Sequence, residues 1–198
     1  MPRTYHHGDL PASVLRQAAT MIARDGAEAF SLRAVAAELG VSHTAPRHHF
    51  GDRPGVLTAL AVQGYRLLGD ALAAAAPSGF AEVGAAYVEF ALGHPGHFAV
   101  MHDPDLVHRD DPDLVRAQAR ATAALTEGVR SFVSGPPDRV AVAATAAWSL
   151  VHGLATLTLS GALQAAGLPE RAGGDLHSLV LRAAQQLFAP RTPAGSES

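Results

Sequence analysis

Residues 42–49 carry a dense run of side chains that can hydrogen-bond to nucleic acid. The run combines one arginine and three histidines, which can carry positive charge, with two hydroxyl groups. Such groups bind phosphate oxygens and the edges of bases. The residues are Ser42, His43, Thr44, Arg47, His48 and His49. Because Val41 and Phe50 on either side are apolar, we predict a polar surface held against a core at both ends.

Two short helices joined by a glycine are predicted around this polar run. Leu32, Val35, Ala36 and Leu39 recur at the i, i+3, i+4, i+7 spacing of one apolar helix face. Ser31 precedes that helix as an N-cap, and Gly40 follows it as a left-handed C-terminal residue. Ser42 is a second N-cap residue, so the second helix is expected over about 43–49.

A helix, a glycine turn and a short polar helix form the pattern of a helix-turn-helix, whose second helix enters the DNA major groove. The alternative is a helical hairpin inside an all-helical bundle that binds no DNA.

Residues 8–68 resemble the N-terminal domain of the TetR-type bacterial repressors. The match rests on Ala23–Gly26, Phe30–Ser42 and His49–Arg53, which have the spacing of that family. One departure is the Pro46-Arg47 pair, which stands where the family has a Leu-Tyr pair. Proline lacks an N–H and is tolerated best in a first turn, so we expect an irregular recognition helix. Arg47 is then expected to bind the phosphate that the family's tyrosine would bind.

The resemblance implies a set of DNA-binding residues. Ser42, His43 and Thr44 at the start of the recognition helix are predicted to read base edges. Ser31 belongs to the set as the cap of the preceding helix. The residues predicted to bind phosphates are Arg33, Arg47, His48, His49 and Arg53. An arm of Tyr5, His6 and His7 either touches the minor groove or is disordered.

Composition and charge favour a cytoplasmic protein with a DNA-binding head. Cysteine is absent and every one of the fifteen lysine-or-arginine positions is arginine, so disulfides and thiol chemistry are excluded. The first residues lack the apolar segment of a secretory signal. Residues 1–66 carry a net charge of +2 and residues 67–198 one of −5. This predicts modest non-specific attraction to DNA, so tight binding requires a dimer and a specific site.

The chain as a whole is predicted to be all-α, because its alanine- and leucine-rich stretches lack alternating β-branched runs. We expect an N-terminal three-helix helix-turn-helix domain at 1–66. A long helix joins it to a helical ligand-binding and dimerisation domain at 67–190, and a flexible tail follows at 191–198. Helices are expected at about 9–25, 52–76, 78–92, 97–102, 112–133 and 175–188, with a further helix inside 140–169.

Residues 140–169 contain no charged side chain and are long enough to cross a bilayer. Their hydroxyl groups, their alanine content and the lack of an aromatic belt or basic flank argue against insertion. We therefore expect no membrane contact and a helix buried on several sides. Together with the helix at 175–188, this segment has more apolar surface than one small core covers, which predicts a homodimer interface over about 140–188. Trp148–Ala155 is also similar to a Trp-x3-His-Gly motif of one TetR C-terminal subgroup.

A small-molecule site is predicted in the C-terminal part. Aromatic and methionine side chains with a few polar anchors line pockets for apolar ligands. The candidates are Tyr87, Phe98, Met101, Phe132, Trp148 and His152. Ordinary core packing is the alternative for each of them.

Metal binding and catalysis are the other functions that the residue types could suggest. Four histidines near two aspartates could hold a metal ion, namely His94, His97, His102 and His108. Their spacing misses the i, i+4 pattern of paired helical ligands, so solvated or capping histidines are favoured and no cofactor is predicted. The sequence lacks a nucleophile elbow, a phosphate loop and a zincin motif. We expect no enzyme.

The function predicted from the sequence is that of a dimeric, ligand-responsive transcriptional regulator of bacteria. It would repress by binding operator DNA and leave the operator when a small, largely apolar effector binds. Two alternatives stay open at this point: a DNA-binding regulator without an effector, and a metal-responsive regulator that uses the histidines at 94–108.

Overall fold

The computed structural model describes residues 9–130, 132–133, 135–171 and 175–188. These residues form helices joined by turns, with no strand among them, which confirms the predicted all-α fold. The helices are α1 (Leu10–Asp25), α2 (Leu32–Leu39), α3 (Ala45–Phe50), α4 (Arg53–Ala75), α5 (Phe80–Gly93), α6 (Pro95–Met101), α7 (Pro112–Arg130), α8 (Pro137–Leu159), α9 (Ala162–Ala165), α10 (Leu168–Arg171) and α11 (Leu176–Phe188). The predicted arm at 5–7 and the predicted tail at 191–198 lie outside the described residues.

Contacts divide the chain into two compact units. The first contains the residues up to Ala71 together with Phe90–Ala124. The second contains Leu72–Glu89 together with the residues from Leu125 onward. These are units of packing, and the functional division after residue 66 stays a prediction.

In the first unit, α1 packs against α2, α3 and α6. Its start is fixed by Asp9, whose carboxylate accepts the Ala12 N–H at 3.1 Å, with Pro11 tolerated in the first turn. One face of α1 is buried, with Val14 and Ala18 fully inaccessible to solvent. The helix-turn-helix elements and α6 therefore share one core.

In the second unit, α5, α8 and α11 meet at Gly84. A Cβ at this position would stand 3.2 Å from Val151 Cγ1 and 3.7 Å from Val180 Cγ1, and both valines are buried. Glycine on α5 therefore lets the other two helices approach closely. Nearer the start of α8, the ring of Phe80 stacks on that of Phe132, with centroids 5.2 Å apart and planes inclined by 13°.

The long uncharged segment differs from its prediction in two ways. α8 ends at Leu159, and Gly161 then adopts a φ of 73° before the short helix α9. Glycine reaches this left-handed conformation without steric cost, so the segment is broken into several helices. The single chain also buries only 22% of the most apolar window of α8. The expectation of burial on several sides is therefore wrong for the single chain.

Among the described helices, α8 is long and apolar enough to cross a membrane. The core helix of a water-soluble protein passes the same test of length and composition, so this is weak evidence of insertion. Its buried positions are Val140, Ala147, Val151 and Ala155, which fall on one face. The opposite face exposes uncharged side chains, including Val142, which is 70% exposed.

Candidate DNA-binding surface and ligand site

Gly40 makes the turn between α2 and α3. Its φ of 65° and ψ of 29° are the left-handed helical conformation, which glycine favours. The N–H of Val41 then donates to the Ala36 carbonyl at 3.0 Å. At the other end of α2, the hydroxyl of Ser31 accepts the Ala34 N–H at 3.1 Å. Both ends of α2 are fixed as the sequence predicted.

The recognition helix α3 starts later than predicted, because Thr44 and not Ser42 is its N-cap residue. The Ser42 hydroxyl accepts the Thr44 N–H at 3.3 Å and lies 2.8 Å from the Thr44 hydroxyl. Pro46 falls in the first turn of α3 and is buried, where its missing N–H costs no helical hydrogen bond. The proline thus sets the start of the helix, which is six residues long, and His43 lies on the turn before it.

α3 and the turn before it present a polar surface to solvent. The rings of His48 and His49 lie 5.6 Å apart on this surface. Its exposed residues are Ser42, His43, Thr44, Arg47, His48 and His49. Arg33 on α2 is exposed as well. Since these side chains offer hydroxyl, imidazole and guanidinium groups beside one another, the surface can contact base edges and phosphates.

A carboxylate, Asp52, lies between the end of α3 and the start of α4. Its Oδ1 accepts the Gly55 N–H at 2.7 Å and so caps α4. Arg47 lies close by, because its Nε donates to the Gly51 carbonyl at 3.3 Å. The Gly55 N–H, together with His108 and Arg47, lowers the pKa of Asp52 below its ordinary value. Asp52 is therefore a carboxylate at neutral pH.

The guanidinium of Arg53 is hydrogen-bonded to two backbone carbonyls of the same chain. Its Nε donates to the Phe30 carbonyl at 3.0 Å and its Nη2 to the Ala27 carbonyl at 2.7 Å. The side chain is partly buried. These two bonds tie the connection between α1 and α2 to the first turn of α4, so Arg53 braces the helix-turn-helix.

Three of the predicted ligand-binding residues come together in the second unit. The Tyr87 hydroxyl accepts the Trp148 Nε1–H at 3.1 Å and lies 3.0 Å from His152 Nδ1. A tyrosine hydroxyl can both donate and accept, so it can bond to the indole and to the imidazole at the same time. Burial lowers the pKa of His152, which favours the neutral form of its ring. We call Tyr87, Trp148 and His152 the polar cluster.

The polar cluster extends from a buried side chain to a side chain at the surface of the second unit. Tyr87 is 1% exposed, whereas Trp148 is 43% exposed. An indole that is half-accessible beside a buried hydroxyl and a half-buried imidazole offers an apolar contact and polar anchors at one place.

The other predicted ligand-binding residues are Phe98, Met101 and Phe132. Phe98 and Met101 belong to the first unit, where the Met101 carbonyl accepts the Tyr65 hydroxyl at 2.5 Å. Phe132 lies at a groove of about 450 Å³ in the second unit. That groove is lined by Phe132, Val133, Asp138, Arg139, Val142, Ala143 and Ala146. Tyr87, Trp148 and His152 are not among the residues that line this groove.

Of the four histidines at 94–108, His94 and His97 contact each other, while His102 and His108 have other neighbours. His97 is buried, its Nε2 lies 3.2 Å from Gln63 Oε1, and its ring meets that of His94 edge-on at 5.6 Å. Burial, and to a lesser extent His94, lowers the pKa of His97 to about 4. His102 lies against Tyr65 and Phe98. The described part of the chain holds no group of three or more residues placed to bind a metal.

Several residues that shape the surface were not found from the sequence. His108 Nε2 lies 3.2 Å from Asp52 Oδ1, and its backbone N–H donates to the Thr58 hydroxyl at 2.9 Å. Gly96 lies against the backbone of Ala19. Asp52 has a local signal in the sequence, because an aspartate directly before a helix can cap its first turn. The other contacts join distant positions and have no local pattern.

Comparisons with known proteins agree with the fold. Residues 80–183, more than half of the chain, match the family described as tetracyclin repressor-like, C-terminal domain. The matched range includes Tyr87, Trp148 and His152.

A protein of unknown function from a Rhodococcus species is 33% identical, with 94% of this chain and 97% of that chain covered and a TM-score of 0.71. The TetR family transcriptional regulator PfmR from Thermus thermophilus is 21% identical, with coverages of 88% and 96% and a TM-score of 0.62, which is a likeness of fold. A comparison with curated proteins finds no match. From the match over residues 80–183 and the relative at 33% identity, we conclude that the chain belongs to the tetracycline repressor-like (TetR) family of transcriptional regulators.

Proposed function

We propose that this protein is a homodimeric, ligand-responsive repressor that acts in the bacterial cytoplasm. It binds operator DNA through α3 and leaves it when a small, largely apolar effector binds. The observation that supports DNA binding most is the exposed surface of α3 and its preceding turn. Six hydrogen-bonding side chains of that surface, at 42–44 and 47–49, are exposed while Pro46 among them is buried.

The roles of these residues follow from their positions. His43 lies on the turn, and His48 and His49 lie on α3, so their imidazoles can reach base edges or phosphates. Ser42 and Thr44 bond to each other and can still accept or donate to a base. Arg33 and Arg47 bind phosphates, because an exposed guanidinium forms charge-assisted bonds with them. We assign Arg53 a bracing role in place of phosphate contact, and Ser31 remains the cap of α2.

Dimerisation through about 140–188 is supported by the exposed face of α8. Val142 and Leu157 are 70% and 45% exposed, and small residues such as Ala146 and Gly153 lie between them. Small residues allow a second helix to approach closely, and uncharged side chains gain from leaving water. A second copy of the chain covers this face in our proposal, which explains why so apolar a helix is exposed in one copy.

The effector site is proposed at the polar cluster. Trp148 provides apolar area, while the Tyr87 hydroxyl and His152 fix the orientation of a ligand through hydrogen bonds. α4 contributes residues to both packing units, so a ligand that prefers one position of α4 would alter the separation of the two recognition helices. Operators present major grooves about 34–36 Å apart, which makes that separation decisive.

A titration tests the DNA-binding part of the proposal. Fluorescence anisotropy would follow the full chain binding to labelled DNA from its own promoter region, over a series of salt concentrations, with scrambled DNA as the control sequence. We expect preferential binding that weakens steeply with salt. R47A should weaken binding, whereas R116A should not, because Arg116 is an exposed arginine on α7 that pairs with Asp113 at 2.6 Å. Equal, weak binding to both DNAs would overturn the proposal.

A further inference from the structure

The connection between α6 and α7, residues 102–111, is an ordered loop. Leu106 is buried within it, and the Asp105 N–H donates to Asp103 Oδ1 at 3.0 Å. Arg109 donates to the Pro104 carbonyl at 2.9 Å. At the end of the loop, Asp111 caps α7 by accepting the Leu114 N–H at 3.0 Å. The loop therefore holds the residues that it carries in defined positions.

His108 of this loop is anchored to α4 through its backbone. Its N–H donates to the Thr58 hydroxyl at 2.9 Å. Thr58 is itself 4% exposed and donates its hydroxyl proton to the Pro54 carbonyl at 2.8 Å. The backbone of His108 is thus fixed by a buried partner, independently of its side chain.

The side chain of His108 reaches the turn that ends the recognition helix. His108 Nε2 lies 3.2 Å from Asp52 Oδ1, although the two residues are 56 positions apart in the chain. The pair is an ion pair when the imidazole is protonated. Asp52 is also within electrostatic reach of Arg47, whose Nε donates to the neighbouring Gly51 carbonyl at 3.3 Å. One carboxylate is therefore near two groups that can be cations.

We propose that His108 is a positioning residue for DNA binding: by pairing with Asp52, it leaves Arg47 available to a DNA phosphate. This inference rests on the proposed function. Without the imidazole, Arg47 is the cation that faces Asp52, and a carboxylate then competes with the phosphate for the same guanidinium. The uncompensated charge of Asp52 also repels the phosphate backbone. Both effects weaken DNA binding.

The solvent exposure of the His108–Asp52 pair determines how much its loss should weaken DNA binding. The side chains of His108 and Asp52 are 55% and 52% exposed, so the interaction is screened by water and salt. Loss of one exposed pair of this kind corresponds to a change of about threefold in affinity. The effect should shrink as salt is raised.

The test uses the full chain and fluorescein-labelled DNA from its promoter region. H108A keeps the backbone bond to Thr58, so it removes the imidazole alone, and we expect about threefold weaker binding. H108K restores a cation and should bind within about twofold of the wild type. In the D52N background, H108A should have no further effect. R116A is the control, since Arg116 is an exposed arginine on α7 that pairs with Asp113 at 2.6 Å outside the loop, and it should bind like the wild type.

The outcomes separate the inference from the function on which it rests. If wild-type protein does not distinguish promoter DNA from scrambled DNA, the proposed function fails, and the inference fails with it. A second outcome is that wild-type protein distinguishes the two DNAs and that H108A binds promoter DNA as tightly as wild-type protein. This outcome overturns the inference alone. The inference is also overturned if H108A weakens binding equally with and without D52N. Thermal unfolding of each variant would show that the loss does not come from a misfolded head.

Discussion

Gly96 on α6 lies so close to Ala19 on α1 that a Cβ at position 96 would stand 2.0 Å from the Ala19 carbonyl oxygen. The same Cβ would be 2.8 Å from the Ala19 carbonyl carbon. These are backbone atoms, which cannot rotate out of the way as a side chain can. α6 can therefore pack on the first helix of the helix-turn-helix only because residue 96 has no side chain.

Replacing Gly96 by alanine should destabilise the first unit. The added methyl group forces α6 away from α1, and overpacking of this kind costs about 1–3 kcal/mol or more. Urea denaturation of G96A against wild-type protein would measure the loss. Gly93, near the end of α5, has no atom within 4 Å of its would-be Cβ, so G93A is the matched control and should be unchanged. A G96A protein as stable as wild type would show that the close approach is not present.

Replacing Arg53 by alanine should lower stability, whereas replacing Arg47 by alanine should weaken DNA binding. R53A removes two hydrogen bonds from a charged donor to backbone carbonyls, which should lower the free energy of unfolding by roughly 1–2 kcal/mol at a partly exposed site. R47A should leave stability unchanged and reduce the salt dependence of DNA binding by about one counterion per subunit.

Thermal unfolding and the anisotropy titration together check this pair. R53K is a further control, because a single ammonium group cannot reproduce the fork of the guanidinium, and it should not restore the stability in full. The assignment of roles would be refuted by an R53A protein that melts like wild type but binds DNA poorly.

The local signals in the sequence were sufficient for the ends of several helices. Asp9 and Ser31 cap α1 and α2, and Gly40 ends α2 in the left-handed conformation, because these preferences depend on a few neighbouring residues. Proline in a first turn is a signal of the same kind. Pro46 and Pro95 fall in the first turns of α3 and α6, and each of these helices begins two residues away from its predicted start.

Tyr87→Phe should weaken the second unit and change the surroundings of its tryptophan. The substitution removes the hydroxyl that bonds to both Trp148 and His152, at a cost of about 1–2 kcal/mol. The chain contains one tryptophan, so its fluorescence reports on the polar cluster directly, and we expect an altered emission spectrum in Y87F. S149A is the control, since the Ser149 hydroxyl bonds within its own helix to the Thr145 carbonyl. An emission spectrum and a stability equal to wild type would contradict the role of the hydroxyl.

His97 should make the protein less stable in mild acid. Burial lowers its pKa to about 4 in the folded state, against about 6.5 in an unfolded chain. Below pH 6.5 the unfolded chain therefore takes up a proton that the folded chain does not. This stability is present above pH 6.5 and is lost as the pH falls towards 4, by about 2 kcal/mol between pH 7 and pH 5.

Urea denaturation at pH 7, 6 and 5 would measure that loss. The other histidines titrate as well, so the quantity of interest is the difference between wild-type protein and H97Q. H97Q should lose less stability over this range. An equal loss in both proteins would show that His97 is not the group responsible.

The polar surface of the recognition helix could be predicted because its residues are neighbours in the sequence. The contacts within the polar cluster could not be predicted, because Tyr87 is 61 positions from Trp148 and 65 positions from His152 in the sequence. The residue types predict that its members line a pocket, whereas the bonds of Tyr87 to the other two depend on how α5 and α8 pack. The same holds for His108 and Asp52. Contacts with distant parts of the chain also determine which face of α8 is buried. The uniformly apolar composition of α8 does not show this.

The most direct test of a dimeric DNA-binding regulator is to select its binding sequences from a random library of duplex DNA, using the full chain at physiological salt. We expect an enriched sequence made of two inverted half-sites, with their centres about 10 base pairs or a multiple of this apart. R47A should enrich the same sequence more weakly. If no sequence is enriched, or if a single half-site without its inverted copy is enriched, the account of a two-fold symmetric repressor is contradicted.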